Sequence, residues 1–166
     1  NHYLKHENNI HDKEYLKFLS KISIPLKKII KKNSSGLDYG CGYEPVLAYL
    51  LRNEGFKINI YDPYFFNNKN TFKKKYDYIT CTEVIEHFQN PFKEFKKLDS
   101  LLNISGLIGL MTNFLNESIC FKNWHYRRDP THVVFYTKKT FNIIAKQNNW
   151  QCKIIRENVV FMIKNN

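Results

Sequence analysis

The chain has 166 residues, 43% hydrophobic and 16% aromatic, enough to fill one core and too few for a second catalytic domain. No apolar run approaches the roughly 18 residues that cross a bilayer, and NHYLKHENNIHDKEYLKFL lacks a signal peptide's apolar core, so a cytoplasmic chain is expected, with an upstream segment missing because no Met opens it. The net charge of +11 would suit a polyanionic partner, but KKIIKK, FKKKY and KEFKK are scattered and Lys far outnumbers Arg, which reads as compositional bias; the Arg127–Arg128 pair is the exception.

Leu16, Leu19, Ile22, Leu26, Ile29 and Ile30 recur at near-helical spacing and predict an N-terminal helical cover over residues 1–32, split into two helices at Pro25. After NSSG, GLDYGCG reads as a short strand entering a glycine turn, and EPVLAYLLRNEG as a helix with Pro45 in its first turn and Gly55 at its end. FKINIYD and KYDYITC are further strands. NPFKEFKKLDSLLNISG is a helix opened by Pro91, with Phe92, Phe95, Leu98, Leu101 and Leu102 on one face, and GLIGLMTN is a buried strand. An irregular aromatic segment, residues 114–136, precedes a helix in TKKTFNIIAKQNNW capped by Thr137. QCKIIRE and VVFMIK close the chain as an antiparallel hairpin. Strands alternating with helices give an α/β fold, a mostly parallel sheet covered on both faces, into which the hairpin inserts one antiparallel strand. The cysteines, Cys41, Cys81, Cys120 and Cys152, form no C-x-x-C pair, which excludes a zinc ribbon or a thioredoxin-type motif and suits reduced thiols.

DYGCGYEP lies where a nucleotide-binding turn belongs, between a strand and a helix. Gly40 and Gly42 permit close ligand approach, and Asp62, twenty residues after Gly42, ends the next strand where a carboxylate accepts ribose hydroxyls. A dinucleotide would want a third glycine and no added negative charge, whereas here Pro45 follows the turn and Asp38 precedes it. A cofactor with ribose hydroxyls, no phosphate and a cationic amino group fits better, and S-adenosylmethionine (SAM) has all three. In CTEVIEHF, a helical conformation would put Glu83, Glu86 and His87 on one arc and Val84, Ile85 and Phe88 on the other, at the carboxyl edge of the sheet. His125 and His132 arrive later in the chain. Two carboxylates and two imidazoles suit a divalent ion such as Mg²⁺, Mn²⁺, Zn²⁺ or Fe²⁺, which would acidify an acceptor hydroxyl; the plain alternative is a charged helix face and a hydrogen-bonded lid histidine. In residues 114–136, Phe121, Trp124, Tyr126 and Tyr136 are either a packed lid or a stacking surface, with Arg127 and Arg128 beside them.

These motifs resemble the class I SAM-dependent methyltransferases over nearly the whole chain. The family's acid followed by G-x-G matches Asp38, Gly40 and Gly42, its ribose-binding acid matches Asp62, and its fourth and fifth strands match YDYITCTEVIEH and GLIGLMT. The departures are Glu44 in place of a third glycine and the short NNKNTFKKK where a third strand and the adenine-contacting acid usually lie. The resemblance implies a Rossmann-like three-layer sandwich forming one domain, with residues 114–136 as an active-site lid. It places SAM on Asp38, Gly40, Cys41, Gly42, Asp62, Pro63 and Thr82. The E-x-x-E-H element also resembles the small-RNA 2′-O-methyltransferases, in whose second motif His132, Thr137 and Phe141 fall in step, with the aromatic shifted to Phe135; ubiquinone-pathway O-methyltransferases carry a similar element. That implies Glu83, His87 and His132 in catalysis and Glu83, Glu86, His87 and His132 as ligands of Mg²⁺ or Mn²⁺. The expected reaction is methyl transfer to an oxygen of a small molecule or of a nucleic-acid end such as RNA, with N-methylation open. The rival is a SAM- or nucleic-acid-binding module without catalysis, and a NAD(H) oxidoreductase is a lesser alternative.

Overall fold

The computed structural model describes residues 10–166; the part of the helical cover assigned to residues 1–9 lies outside them. Among the described residues, four α-helices, α1 (Lys13–Lys27), α2 (Val46–Asn53), α3 (Pro91–Leu101) and α4 (Lys138–Gln147), accompany six strands: β1 (Ser35–Tyr39), β2 (Lys57–Tyr61), β3 (Tyr76–Thr82), β4 (Leu102–Met111), β5 (Trp150–Arg156) and β6 (Val159–Lys164). The strands form one sheet in the order β2-β1-β3-β4-β6-β5. β2, β1, β3 and β4 run parallel, and β6 is antiparallel to both β4 and β5. The hairpin thus inserts the expected antiparallel strand.

Alternation along the strands sorts the core into two layers, because successive side chains of a strand leave opposite faces. Leu37, Ile79, Cys81, Ile108, Leu110, Val160 and Met162 pack with α3 and α4. Tyr78, Leu107, Met111, Val159 and Phe161 pack with α1 and α2 on the other face. Both faces are covered at the centre of the sheet, so the second half of β4 and most of β6 read as near-continuous apolar runs, whereas the edge strands β2 and β5 stay partly exposed. Each fully buried aliphatic or Phe side chain contributes about 1.5–3 kcal/mol.

α1 begins at Asp12, whose side chain accepts from the N–H groups of Glu14 and Tyr15, and runs unbroken to Lys27. The expected split at Pro25 does not occur. Pro25 forgoes one backbone bond, its missing N–H toward the Lys21 carbonyl, and burial of Leu19, Ile22 and Leu26 against the sheet holds the helix on course over that loss. Ile29 lies beyond the helix and is exposed. In α3, Phe92 faces solvent and Leu102 already belongs to β4, so the buried stripe reduces to Phe95, Leu98 and Leu101. Thr137 caps α4 in a reciprocal capping box with Thr140. Between β2 and β3 the chain makes only a 3₁₀ turn, Lys69–Lys73, which leaves β2 at the edge of the sheet. No helix among the described residues is long and apolar enough to cross a membrane.

Candidate active site

β1 has β2 on one side and β3 on the other, and crevices at such a reversal of strand order are where open parallel sheets bind ligands. A cavity of about 930 Å³ opens there, lined by all seven residues expected to hold a cofactor: Asp38, Gly40, Cys41, Gly42, Asp62, Pro63 and Thr82. That volume is near the top of the range for small-molecule sites, roughly 300–1,000 Å³.

The glycine turn is tied to β2. Gly40 and Cys41 both donate to the Tyr61 carbonyl, at 2.7 and 3.1 Å, and the Gly42 N–H donates to Asp62 Oδ2 at 3.1 Å. Gly40 and Gly42 have φ of 81° and 72°, conformations that side chains resist. At Gly40 there is a second reason: a Cβ would lie 2.5 Å from Cγ2 of Val84, which follows β3. Gly40→Ala is therefore expected to cost about 2–4 kcal/mol in urea unfolding, from the left-handed backbone and the overpacking together. The cost should be smaller in a Val84→Ala background, which relieves only the contact.

Asp38 and Asp62 are both buried but differently held. Asp38 Oδ1 accepts from Thr80 Oγ1 at 2.8 Å, and burial pushes its carboxyl up to about 6. Asp62 Oδ1 accepts from the N–H groups of Tyr64 and Phe65, at 2.8 and 3.2 Å, while Oδ2 takes Gly42. The buried Thr82 Oγ1 has no hydrogen-bond partner.

The segment CTEVIEHF is not the helix its spacing suggested. Glu83 sits at φ 52°, and only Ile85–His87 form a single 3₁₀ turn. Ile85, Glu86 and Phe88 are buried, whereas Glu83, Val84 and His87 are partly exposed, so the division into one polar and one apolar arc does not hold. What joins the acids is Tyr126. Its hydroxyl contacts Glu86 Oε1, Glu83 Oε2 at 3.0 Å and Thr112 Oγ1 at 3.0 Å. One phenolic proton serves two carboxylates, so the pair is satisfied when one carboxyl holds a proton or a cation lies beside them. Glu83 Oε1 and Glu86 Oε2 are buried without partners. Burial and the charge of Glu86 push Glu83 up to about 8, and burial pushes Glu86 up as well.

His132 reaches this cluster because Val133 and Val134 donate their N–H groups to the Glu86 carbonyl, at 2.9 and 3.1 Å. His132 Nδ1 is 2.7 Å from the Tyr126 carbonyl and His87 Nδ1 is 3.0 Å from the Thr131 carbonyl. A carbonyl only accepts, so each ring carries a proton on Nδ1, the bond that orients the ring in metal-binding histidines. One ligand atom each from Glu86, His87 and His132 lie within 4.8 Å of one another. Of the four expected ligands, Glu83 stands outside that group and connects to it through Tyr126. Glu83, His87, His125 and His132 line the cavity; Glu86 is fully buried behind them.

The aromatic residues of 114–136 pack against one another and against Phe95 of α3 and Phe141 of α4. Trp124 lies against Tyr126 and Phe135, and Tyr136 stacks on Phe141 while donating to the Ile85 carbonyl. Arg127 donates to the Lys122 carbonyl and rests on Phe121. Tyr126, read from sequence as a lid or stacking residue, is the residue whose central place sequence reasoning missed; its only signal is its position six residues before His132.

A family profile described as "Methyltransferase domain" matches residues 4–153. Among solved structures, magnesium protoporphyrin IX methyltransferase from Synechocystis PCC 6803 with bound SAH aligns with a TM-score of 0.69 at 13% identity, over 90% of this chain and 83% of that one. The 1,6-didemethyltoxoflavin-N1-methyltransferase from Burkholderia thailandensis, with its substrate and S-adenosylhomocysteine (SAH) bound, gives 0.65 at 10%, over 89% and 78%. An O-methyltransferase family protein from the same organism gives 0.64 at 10%, and this chain, aligned over 92% of its length, spans 58% of it. No curated protein matches by sequence. The family match across most of the chain and the shared fold agree: the chain belongs to the class I SAM-dependent methyltransferases.

Proposed function

We propose that the protein moves the methyl group of SAM to an oxygen of a small-molecule acceptor, with a divalent cation, Mg²⁺ or Mn²⁺, held by Glu86, His87 and His132. The observation that carries this reading is a single cavity with Asp38, Asp62 and the glycine turn on one side and Glu83, His87 and His132 on the other. The named relatives that act on magnesium protoporphyrin IX and didemethyltoxoflavin support a small-molecule acceptor.

On the cofactor side, Asp62 already accepts three backbone N–H groups, and a carboxylate has about four acceptor positions, so it takes one ribose hydroxyl well. Asp38 pairs with the methionine ammonium. Only the ionised carboxylate does so, hence SAH affinity should rise with pH through about 6 and level off above it. Below that point each unit should cost up to about tenfold. Stability without ligand runs the other way: the folded-state value is raised, so the proton's contribution is complete below the ordinary 3.8 and is lost as pH climbs through about 6. Asp38→Asn should flatten both profiles, as read by calorimetry and thermal melts.

On the acceptor side, the orphaned oxygens of Glu83 and Glu86, with one ligand atom each from Glu86, His87 and His132 within 4.8 Å of one another, fit a cation better than they fit an empty polar pocket. When bound, the cation supplies a positive charge that lowers the pKa of an acceptor hydroxyl. The S–CH₃ bond breaks as the O–CH₃ bond forms, SAH leaves, and Glu83, which faces the cavity and is ionised when the cation rather than a proton satisfies the carboxylate pair, takes the acceptor's proton. The residues of 114–136, docked on Glu86, exclude water as a lid. A second reading needs no ion: His132 Nε2 takes the proton, and the imidazolium faces Asp129 Oδ2 at 3.9 Å.

The test is methyl transfer from isotope-labelled SAM to hydroxylated small molecules and to RNA 3′ ends, with and without chelator. Product that vanishes with chelator and returns with Mg²⁺ or Mn²⁺ supports the cation; product indifferent to chelator supports the second reading. Tight SAM binding without product on any acceptor would mean a binding module.

A further inference from the structure

We propose that Glu94 determines the base specificity of the cofactor site, its carboxylate accepting the exocyclic amino group of adenine. The inference rests on SAM being the cofactor. Residues 63–75, between β2 and β3, contain no Asp or Glu, so the segment beside the ribose acid has no carboxylate to offer a base. Five acids line the cavity: Asp38, Asp62, Glu83, Glu94 and Asp129. Asp38 and Asp62 flank the glycine turn, and Glu83 and Asp129 lie with the histidines. Glu94 alone is left unassigned.

Glu94 is held by a hydrogen bond from the strand that enters the glycine turn. It stands in the first turn of α3, and its Oε2 accepts the Tyr39 hydroxyl at 2.7 Å. That hydroxyl in turn accepts from Lys97 Nζ at 2.8 Å. Tyr39 immediately precedes Gly40, and its partner across the parallel ladder, Tyr61, immediately precedes Asp62. Glu94 is therefore tied through Tyr39 to the end of β1, next to the strand end that carries the ribose acid, on the α3 side of the sheet. The Tyr39 bond engages Oε2 and leaves Oε1 to accept from a ligand. Tyr39 and Tyr61, with rings 5.2 Å apart, line the same cavity. Phe72, from the short segment, backs Tyr61 at 4.5 Å, and Lys97 lies 4.2 Å over the Phe72 ring. The segment between β2 and β3 contributes an aromatic support and no carboxylate, which leaves the acceptor role to α3.

A carboxylate distinguishes purines at position 6. Adenine presents an N–H₂ donor, which Glu94 accepts; hypoxanthine presents a carbonyl, which meets a negative charge. Calorimetric titration of SAH and of S-inosylhomocysteine into the wild-type chain, Glu94→Gln and Glu94→Ala tests this, with thermal melts to establish folding. In Glu94→Gln the side-chain amide still accepts from Tyr39 and has an N–H₂ donor for a carbonyl. The wild type should prefer SAH by about tenfold or more. Glu94→Gln should bring the two affinities within about threefold of each other, and Glu94→Ala should lose the preference by weakening SAH alone. An unchanged preference in both folded variants overturns the assignment while leaving SAM as cofactor. A wild type that binds neither ligand overturns the cofactor reading and this assignment with it.

Discussion

His132→Ala is expected to lower turnover by about 10²–10⁴-fold, the loss that follows removal of a group acting directly on the proton or cation of a reaction, while SAH affinity stays at the wild-type value. The side chain lies with Glu86 and His87 rather than beside Asp38 and Asp62, so the cofactor has no contact to lose. Glu86→Ala and His87→Ala should each give losses of similar size, and pairs of these changes should add little, because groups that act as a unit fail together. A purely architectural His132 has a different signature. It donates through Nδ1 to the Tyr126 carbonyl, so its loss would then lower the melting temperature and leave turnover per folded molecule intact. Steady-state kinetics normalised to the folded fraction separate the two outcomes.

Asp62→Asn should weaken SAH binding by at least about tenfold, with the measured enthalpy less favourable. A hydrogen bond to a charged group is worth about 1.5–3 kcal/mol, and the amide cannot replace the carboxylate on both sides. Oriented to accept from Tyr64 and Phe65, it turns its N–H₂ toward the Gly42 N–H and sets donor against donor. The substitution therefore loosens the glycine turn and removes the ribose acceptor in one step. Asp62→Ala should do the same and lower the melting temperature further, since three backbone N–H groups lose their acceptor. Unaltered SAH affinity in either folded variant would contradict the assignment of Asp62 to the ribose.

Local signals carried most of the architecture into the sequence. Pro91 and Asn90 mark the start of α3, Thr137 and Thr140 cap α4, and alternation in β3 and β4 gives two buried faces. Pro25 misled because helix-breaking is a local penalty, whereas Leu19, Ile22 and Leu26 are held by tertiary packing. CTEVIEHF misled for a related reason: helical spacing says nothing about a left-handed Glu83, which is held by its N–H to the Met111 carbonyl and by the contacts of its carboxylate. The glycine turn and Asp62 were legible since strand ends and glycines fix their own geometry. Tyr126 was not, because its hydroxyl acts across 40 and 43 residues of chain, on Glu86 and Glu83 respectively. Glu94 reads in sequence as one more charge on an amphipathic helix, because the Tyr39 hydroxyl that holds it, itself bonded by Lys97, comes from 55 residues away.

The most direct measurement is a crystal structure of the chain with SAH and Mn²⁺, with anomalous data collected near the manganese absorption edge. The expected result is SAH with its ribose on Asp62, its amino group at Asp38 and its sulfur facing Glu83 and His132, together with an anomalous peak among Glu86, His87 and His132. SAH bound with its sulfur turned away from Glu83 and His132, or a cavity that takes no SAH, would contradict methyl transfer at this site; SAH in place with no peak would remove the cation and leave His132 to accept the proton.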